Sequence, residues 1–332
     1  MMRNAPFASP LGPFASDYLA HMRALGRAYD GTERVLRHLD AFLARTNSDL
    51  SSASFAAWSL AEMHLRSGVR RSRMGIVRNF CLYRRRTEPR CFLPDITQFP
   101  PNHQRIRPHI FANAEILKLV KAADDLRPHP NSPLHREVYR LAIVLLYTAG
   151  LRRGELVRLL IGDYEPCEHT LLVRESKFHK SRMVPLSSDA VHEIEGYLTA
   201  RRMRGIPRSS ETPLLWNRAH GGGNAYSGAC IGMGIRSLFR SAGIRTGSGR
   251  LPRTHDIRHT FAVHALLRWY QSGQDVQAKL PLLSTYMGHV SIVSTQHYLH
   301  FVEGTAAQAS DRFGKRCGVL VAASFPDRGG VR

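Results

Sequence analysis

Lysine is scarce in this chain, acids are few, and no long apolar run exists. Of 47 cationic side chains only six are lysines (Lys118, Lys121, Lys177, Lys180, Lys279 and Lys315), and 26 acids leave a formal net charge of +21 over 332 residues. So few carboxylates favour a polyanionic partner, nucleic acid before membrane. Arginine in place of lysine adds to this, because a planar guanidinium grips phosphate with two parallel N–H groups. The longest apolar run, Leu141 to Tyr147, is far short of the roughly 20 residues of a membrane span. The opening residues, Met1-Met-Arg-Asn-Ala-Pro-Phe, lack an apolar core of signal-peptide length. The expectation is a cytoplasmic, nucleoid-associated protein with no membrane partner. Five cysteines (Cys81, Cys91, Cys167, Cys230, Cys317) are scattered and never form a CxxC pair. That spacing speaks for a reducing compartment and against a disulfide framework or zinc cluster. Seventeen histidines contain no HExxH pattern and read mostly as surface side chains of a basic protein, so no metal and no cofactor is expected.

Hydrophobic residues make up 43% of the chain, too many for wholesale disorder. At about 150 residues per domain, the length predicts roughly two domains. Residues 1–100 read as a helical module. Phe14, Tyr18, Met22 and Leu25 recur at helical spacing, and Thr32 offers a cap for a second helix striped by Val35, Leu36, Leu39, Phe42 and Leu43. A third helix carries Phe55, Trp58 and Met63. The fourth, around Ser72 to Tyr83, interleaves Met74, Val77, Phe80 and Cys81 with arginines. Between Arg66 and Arg90 stand nine arginines and one acid, Glu88. A charge run is commonly a solvated face. This one-signed run on an amphipathic helix points instead to the DNA backbone, with Arg70, Arg71, Arg73 and Arg78 as the contacts.

Phe92 to His109 is proline-rich and aperiodic and reads as an interdomain linker, set at about 101–109. A second domain is expected over 110–310. Asn113 opens its first helix, and the stretch Val138 to Tyr147, apolar on nearly all sides, predicts a helix central to a core. His169 to Arg174 and Ser181 to Leu186 read as a β-hairpin. Ser187 to Arg202 is helical, 203–228 is loop-rich, and helix resumes to about Val302. The expected class is mainly α with a small hairpin or sheet, followed by a C-terminal tail over 311–332.

Four separated stretches carry chemistry. They are Thr148-Ala-Gly-Leu-Arg-Arg-Gly-Glu-Leu156, Glu175-Ser-Lys-Phe-His-Lys-Ser-Arg-Met-Val-Pro-Leu186, Thr254-His-Asp-Ile-Arg-His-Thr-Phe-Ala262 and Tyr286-Met-Gly-His-Val-Ser-Ile-Val-Ser-Thr-Gln-His-Tyr298. A phosphodiester attacked in line gathers negative charge on its non-bridging oxygens, and fixed guanidinium donors stabilise that charge without solvent reorganisation. His255 and Arg258 stand three apart on one helix and so reach the same side. In this order the four stretches resemble the catalytic domain of the tyrosine recombinase (phage integrase) family, from about Ile110 to His300. The helical module before it resembles that family's core-binding (SAM-like) domain by position and helix content.

The resemblance implies a DNA-cutting and DNA-joining enzyme. Arg152 and Arg258 match the family's phosphate clamp, and His289 a second donor to the phosphate. His255 fits a proton acceptor or positioning donor for the nucleophile, and Glu155 an orienter of Arg152. Lys177 sits where the family places a mobile lysine that protonates the leaving 5′ oxygen, with Lys180 as its rival in the same turn and Arg182 as a hairpin phosphate contact. Tyr298, nine residues past His289, stands as the nucleophile. It would form a 3′-phosphotyrosyl bond that needs neither ATP nor metal. The implied partners are double-stranded DNA and a homo-tetramer on two sites, with or without related recombinases. A bulky hairpin turn and a long stretch between Arg258 and His289, insertion-like over Arg268 to Pro281, look more like integrases of transposons and other mobile elements than dimer resolvases. The alternatives are a chromosome or plasmid dimer resolvase of the same chemistry, a topoisomerase that relaxes DNA alone, and a non-catalytic DNA-binding accessory protein.

Overall fold

The computed structural model describes residues 6–27, 29–101, 107–174, 181–218, 224–289 and 291–301. The chain divides into two compact units, Met1–Ile106 and Arg107–Arg332.

The first unit is helical. Helix α1 (Gly12–Ala24) has a proline in its first turn, where the missing N–H costs nothing. Helix α2 (Asp30–Arg45) starts two residues before Thr32, and Asp30 and Glu33 sit in its first turn, where the helix dipole favours negative charge. Ser51 caps α3 (Ser52–Ala61) by accepting the Ser54 N–H, and α4 (Ser67–Arg84) begins one turn before the predicted start. Phe14, Tyr18 and Met22 of α1 and the stripes anticipated on α2 and α4 converge with Phe55 and Trp58 in one core, whereas Leu25 and Met63, expected on the α1 and α3 stripes, follow the helix ends and are exposed. Buried Asp40 accepts hydrogen bonds from the Ser9 N–H and hydroxyl at 2.9 and 2.6 Å, which ties down the segment before α1.

The proline-rich stretch departs from the linker expectation over its first half. Phe92 and Leu93 pack on this core and Phe99 is buried in it. Arg71 Nη1 donates to the Pro100 carbonyl at 2.8 Å, and Arg78 Nη1 to that of Pro94. Aperiodic sequence concealed a strap, because its anchors are single aromatics and backbone carbonyls.

The second unit is built around α6 (His135–Thr148), whose buried residues include Val138, Leu141, Ala142, Ile143, Leu145 and Leu146. Helices α5 (Asn113–Asp124), α8 (Ser188–Met203), α9 (Gly228–Ser241) and α10 (Thr254–Gln271) pack on it. The one-turn helix α7 (Arg153–Leu156) follows Gly150. At Gly150 the positive φ of 58° and the Phe261 ring, which an added Cβ would strike, admit only glycine. Strands β1 (Tyr164–Glu165), β2 (Thr170–Val173) and β3 (Arg182–Pro185) form an antiparallel sheet in that order. Leu171 pairs with Val184 and Tyr164 with Leu171, so the period-2 alternation buries Leu171, Val173 and Val184 and leaves Met183 exposed. The fold is the expected one, mainly helical with a small sheet, and β1 extends the predicted hairpin.

A second ladder, β4 (Trp216–Asn217) with β5 (Asn224–Ala225), lies in the stretch read as loop. Two residues per strand are too few to show a period. The insertion-like segment resolves into a helix junction, where α10 ends at Gln271 and Asp275 caps α11 (Val276–Met287) by accepting from Gln277 and Ala278. Gly288 closes α11 in the left-handed conformation, and α12 (Val293–Gln296) runs into a 3-10 turn, His297–Phe301. Among the described residues no helix is long and apolar enough to cross a membrane.

Candidate active site

Three chain reversals bring the separated motifs together: the turn into α7, the start of α10, and the end of α11. Glu155 sits at their junction, buried to 2% of its side-chain surface. It accepts the Arg152 backbone N–H at 2.9 Å, which caps α7, and its Oε1 takes a hydrogen bond from Arg152 Nη1 at 2.7 Å. Arg152 Nη2 donates to the Gly288 carbonyl at 2.7 Å. The guanidinium thus bridges α7 to the end of α11 and keeps 26% of its side-chain surface open.

Arg258 is reached from the other side. It is 1% exposed, its Nη1 and Nη2 donate to the carbonyls of Gly150 and Met287, and Nη1 lies 3.9 Å from Glu155. Burial first, and the charge of Arg152 next, lower its pKa to about 9, so it stays cationic at neutral pH. Three carbonyls at helix ends, of Gly150, Met287 and Gly288, and one carboxylate therefore set both guanidinium planes.

Arg182 departs from its predicted task. Nη1 and Nη2 grip Glu155 at 3.1 and 2.9 Å, Nε donates to the Tyr286 carbonyl at 2.8 Å, and the side chain is 10% exposed. A guanidinium committed to these partners is a strut between β3, α7 and α11. Burial alone would raise the Glu155 carboxyl. The hydrogen bonds from Arg182 and from the Arg152 backbone overcome it and hold the pKa at about 2. Tyr286 completes the brace, its hydroxyl donating to the Pro185 carbonyl at 3.0 Å and its ring stacked on Phe261.

His289 follows the Gly288 cap, and its Nδ1 lies 2.8 Å from the hydroxyl of fully buried Thr295. When that hydroxyl donates to Nδ1, the ring proton stands on Nε2, free to donate elsewhere. Burial, then the charges of Arg258, Arg152 and Arg182, hold its pKa down at about 4, so the ring is neutral at pH 7.

Tyr298 is 3% exposed and lies nearly parallel to the His289 ring, centroids 6.1 Å apart. Burial raises its phenol pKa more than the charges of Arg258 and Arg152 lower it. Its hydroxyl meets not His255 but His259, at 3.1 Å from Nδ1. His255 packs edge-on against His259 with centroids 4.6 Å apart, and burial holds it at about 4. His259 is the residue the sequence reading passed over. The signal was present in Thr254-His-Asp-Ile-Arg-His259, where positions 255 and 259 share a face one turn apart.

The site residues read from sequence thus divide. Arg152, His255, Arg258, His289 and Tyr298 come together, with Asp256 capping α10 by accepting the Arg253 N–H at 2.9 Å. Lys177 and Lys180 lie outside the described residues. In the first unit, Arg71 and Arg78 anchor the strap, Arg73 pairs with buried Glu62 at 2.7 Å, and Arg70 Nε is buried without a hydrogen-bond partner among the described residues. These commitments leave α4 fewer donors for phosphate than its composition suggested. Among the described residues no group of three or more His, Cys, Asp or Glu is placed to hold a metal ion.

Known proteins resemble this chain in sequence and in fold. The chain is 32% identical over 286 residues to y4rB of Sinorhizobium fredii, named as an integrase/recombinase, covering 85% of this chain and 90% of that protein. It is 31% identical over 199 residues to tyrosine recombinase XerD of Mycobacterium tuberculosis, 60% of this chain and 58% of that one. The fold matches the Tn1549 transposon integrase, solved in complex with transposon right end DNA, at a TM-score of 0.62 and 16% identity, over 91% of this chain and 99% of that one. The model of the phage integrase family matches residues 110–303, which take in the whole arginine, histidine and tyrosine cluster. The chain belongs to that family, the tyrosine recombinases.

Proposed function

We propose that this recombinase cuts and rejoins DNA strands through a 3′-phosphotyrosyl bond to Tyr298, acting as a tetramer on two duplex sites in the movement of a mobile element. The observation that carries the reading is the placement of the Tyr298 hydroxyl on α10, bonded to the residue after Arg258 and flanked by His289. Arg152 and Arg258 would hold the non-bridging oxygens, and their fixed planes favour the charge that develops in the transition state. His289 would add a donor through Nε2. Lys177, with Lys180 as rival, would protonate the leaving 5′ oxygen.

A phosphotyrosyl ester keeps the energy of the phosphodiester it replaces, so resealing would need no ATP. Charge neutralisation by arginine and histidine would take the part a metal plays in nucleases. Long arginine side chains and the +21 charge support a phosphate-led grip on DNA. The mobile-element role is supported by the likeness to a transposon integrase and by a relative named as an integrase/recombinase that matches over nearly its full length.

The test is recombination between two cognate sites on one plasmid, run in EDTA without ATP. Deletion or inversion between the sites, with no relaxation of a plasmid lacking them, is the expected result. Relaxation without site dependence would assign a topoisomerase instead.

A further inference from the structure

The hydroxyl of Tyr298 has one described hydrogen-bond partner, and it is not the histidine of the HxxR pair. We propose that His259 is the group that takes the proton from Tyr298 as the phenol attacks phosphorus, with His255 buttressing it. This rests on the reading of Tyr298 as nucleophile. Nδ1 of His259 lies 3.1 Å from Oη, inside the range in which a base removes a proton directly. His259 follows Arg258 in α10, so the helix that sets the phosphate clamp also sets the base. The two ring planes of His255 and His259 stand at 80°. The His259 ring is thus wedged between His255 and the Tyr298 ring, whose centroid is 5.4 Å away.

The charge balance fits the role. Burial, then the charge of His255, hold His259 down at about 3, with Arg253 and Arg258 acting the same way and Asp256 against them. The resting imidazole is therefore neutral, and in the tautomer protonated on Nε2 its Nδ1 lone pair accepts the phenol O–H. An anionic phosphodiester entering between Arg152 and Arg258 offsets the cations that oppose its protonation, so proton affinity rises when substrate is present. In the forward step the Oη–H bond breaks and Oη–P forms. The proton goes to Nδ1, P–O5′ breaks, and O5′ receives a proton from the acid on the leaving side. In resealing, O5′ attacks and gives up its proton, P–Oη breaks, and His259 returns its proton to the phenolate oxygen.

The test is single-turnover adduct formation on a nicked suicide duplex by the full chain, with tyrosine or a fluorinated, more acidic tyrosine placed at position 298. His259→Ala should slow adduct formation about 10²-fold, the ordinary share of a general base. The fluorinated tyrosine should restore at least tenfold of that loss, because a phenol that ionises readily needs no base. His259→Asn keeps a hydrogen-bond acceptor but cannot take a proton, so it should lose rate like alanine while holding the fold by circular dichroism and binding duplex as the wild type does. A wild-type rate in either variant, or an equal deficit with both tyrosines, would overturn the inference, and rescue confined to His255→Asn would move the base to His255. If the wild type itself forms no adduct, the nucleophile reading fails first, an outcome distinct from these.

Discussion

Glu155 and Arg182 form a two-pronged ion pair, both carboxylate oxygens held at 3.1 and 2.9 Å, with the side chains 2% and 10% exposed. Because Glu155 also holds Arg152, β3 of the hairpin is fastened to that guanidinium through one carboxylate. Arg182→Ala should leave a buried carboxylate short of its main partner, at a cost of about 3 kcal/mol, read as a lowered urea midpoint. Arg182→Lys should recover only part of it, since an ammonium cannot fork. An unchanged midpoint in the alanine variant would remove the strut from the account.

The acid side of the stability curve should be steep, and two kinds of group contribute. His255, His259 and His289 have folded pKa values of about 4, 3 and 4, below the ordinary 6.5. Between pH 6.5 and those values the unfolded chain binds more protons than the folded one, so stability is full above about 6.5 and drains as pH falls. Each histidine contributes up to about 1.4 kcal/mol per pH unit. Glu155, depressed from 4.5 to about 2, contributes stability that is present above 4.5 and is lost as pH falls through 2. Urea midpoints should hold from pH 7.5 to about 6.5 and fall from there to pH 4, and His259→Asn should flatten the upper part of that slope. A flat wild-type curve from pH 7 to 5 would contradict the buried, neutral histidines.

The arginines of α4 give a prediction that composition alone would have misdirected. Arg71→Ala and Arg78→Ala each remove a hydrogen bond to a strap carbonyl and should each cost about 1 kcal/mol of stability in the first unit. Thermal melts separate this from a pure DNA role, which would lower duplex affinity with no shift in melting.

How much was legible beforehand follows from the range of each interaction. The stripes on α2 and α4, the apolar α6 and the β2–β3 alternation showed in the sequence because burial repeats with a period. Arg152, Arg258, His289 and Tyr298 showed because a motif fixes their spacing. The second task of Arg182, the strap at Phe92 to Pro100 and the His259–Tyr298 bond did not, because each joins residues 16 to 104 positions apart with no pattern linking their ends. A one-signed run of arginines shows charge, not which guanidinium is already spoken for.

Thr295 should matter through His289. Thr295→Val keeps the volume and removes the hydroxyl 2.8 Å from Nδ1, freeing the ring to turn its Nε2 donor out of place. Cleavage should slow about tenfold, equivalent to about 1.4 kcal/mol, with duplex affinity unchanged. A wild-type cleavage rate would show that His289 is oriented by other contacts.

The central claim is that Tyr298 is the atom donor of the covalent link. The measurement is denaturing electrophoresis of wild type and Tyr298→Phe after incubation with a nicked, end-labelled cognate duplex in EDTA, followed by nuclease digestion and peptide mass analysis of any adduct. A boiling-resistant adduct is expected in the wild type, its nucleotide remnant on the peptide containing Tyr298, and none in Tyr298→Phe, which still folds and binds the duplex. An adduct in Tyr298→Phe at near wild-type yield, a remnant on another tyrosine, or a strict need for Mg²⁺ would contradict that claim.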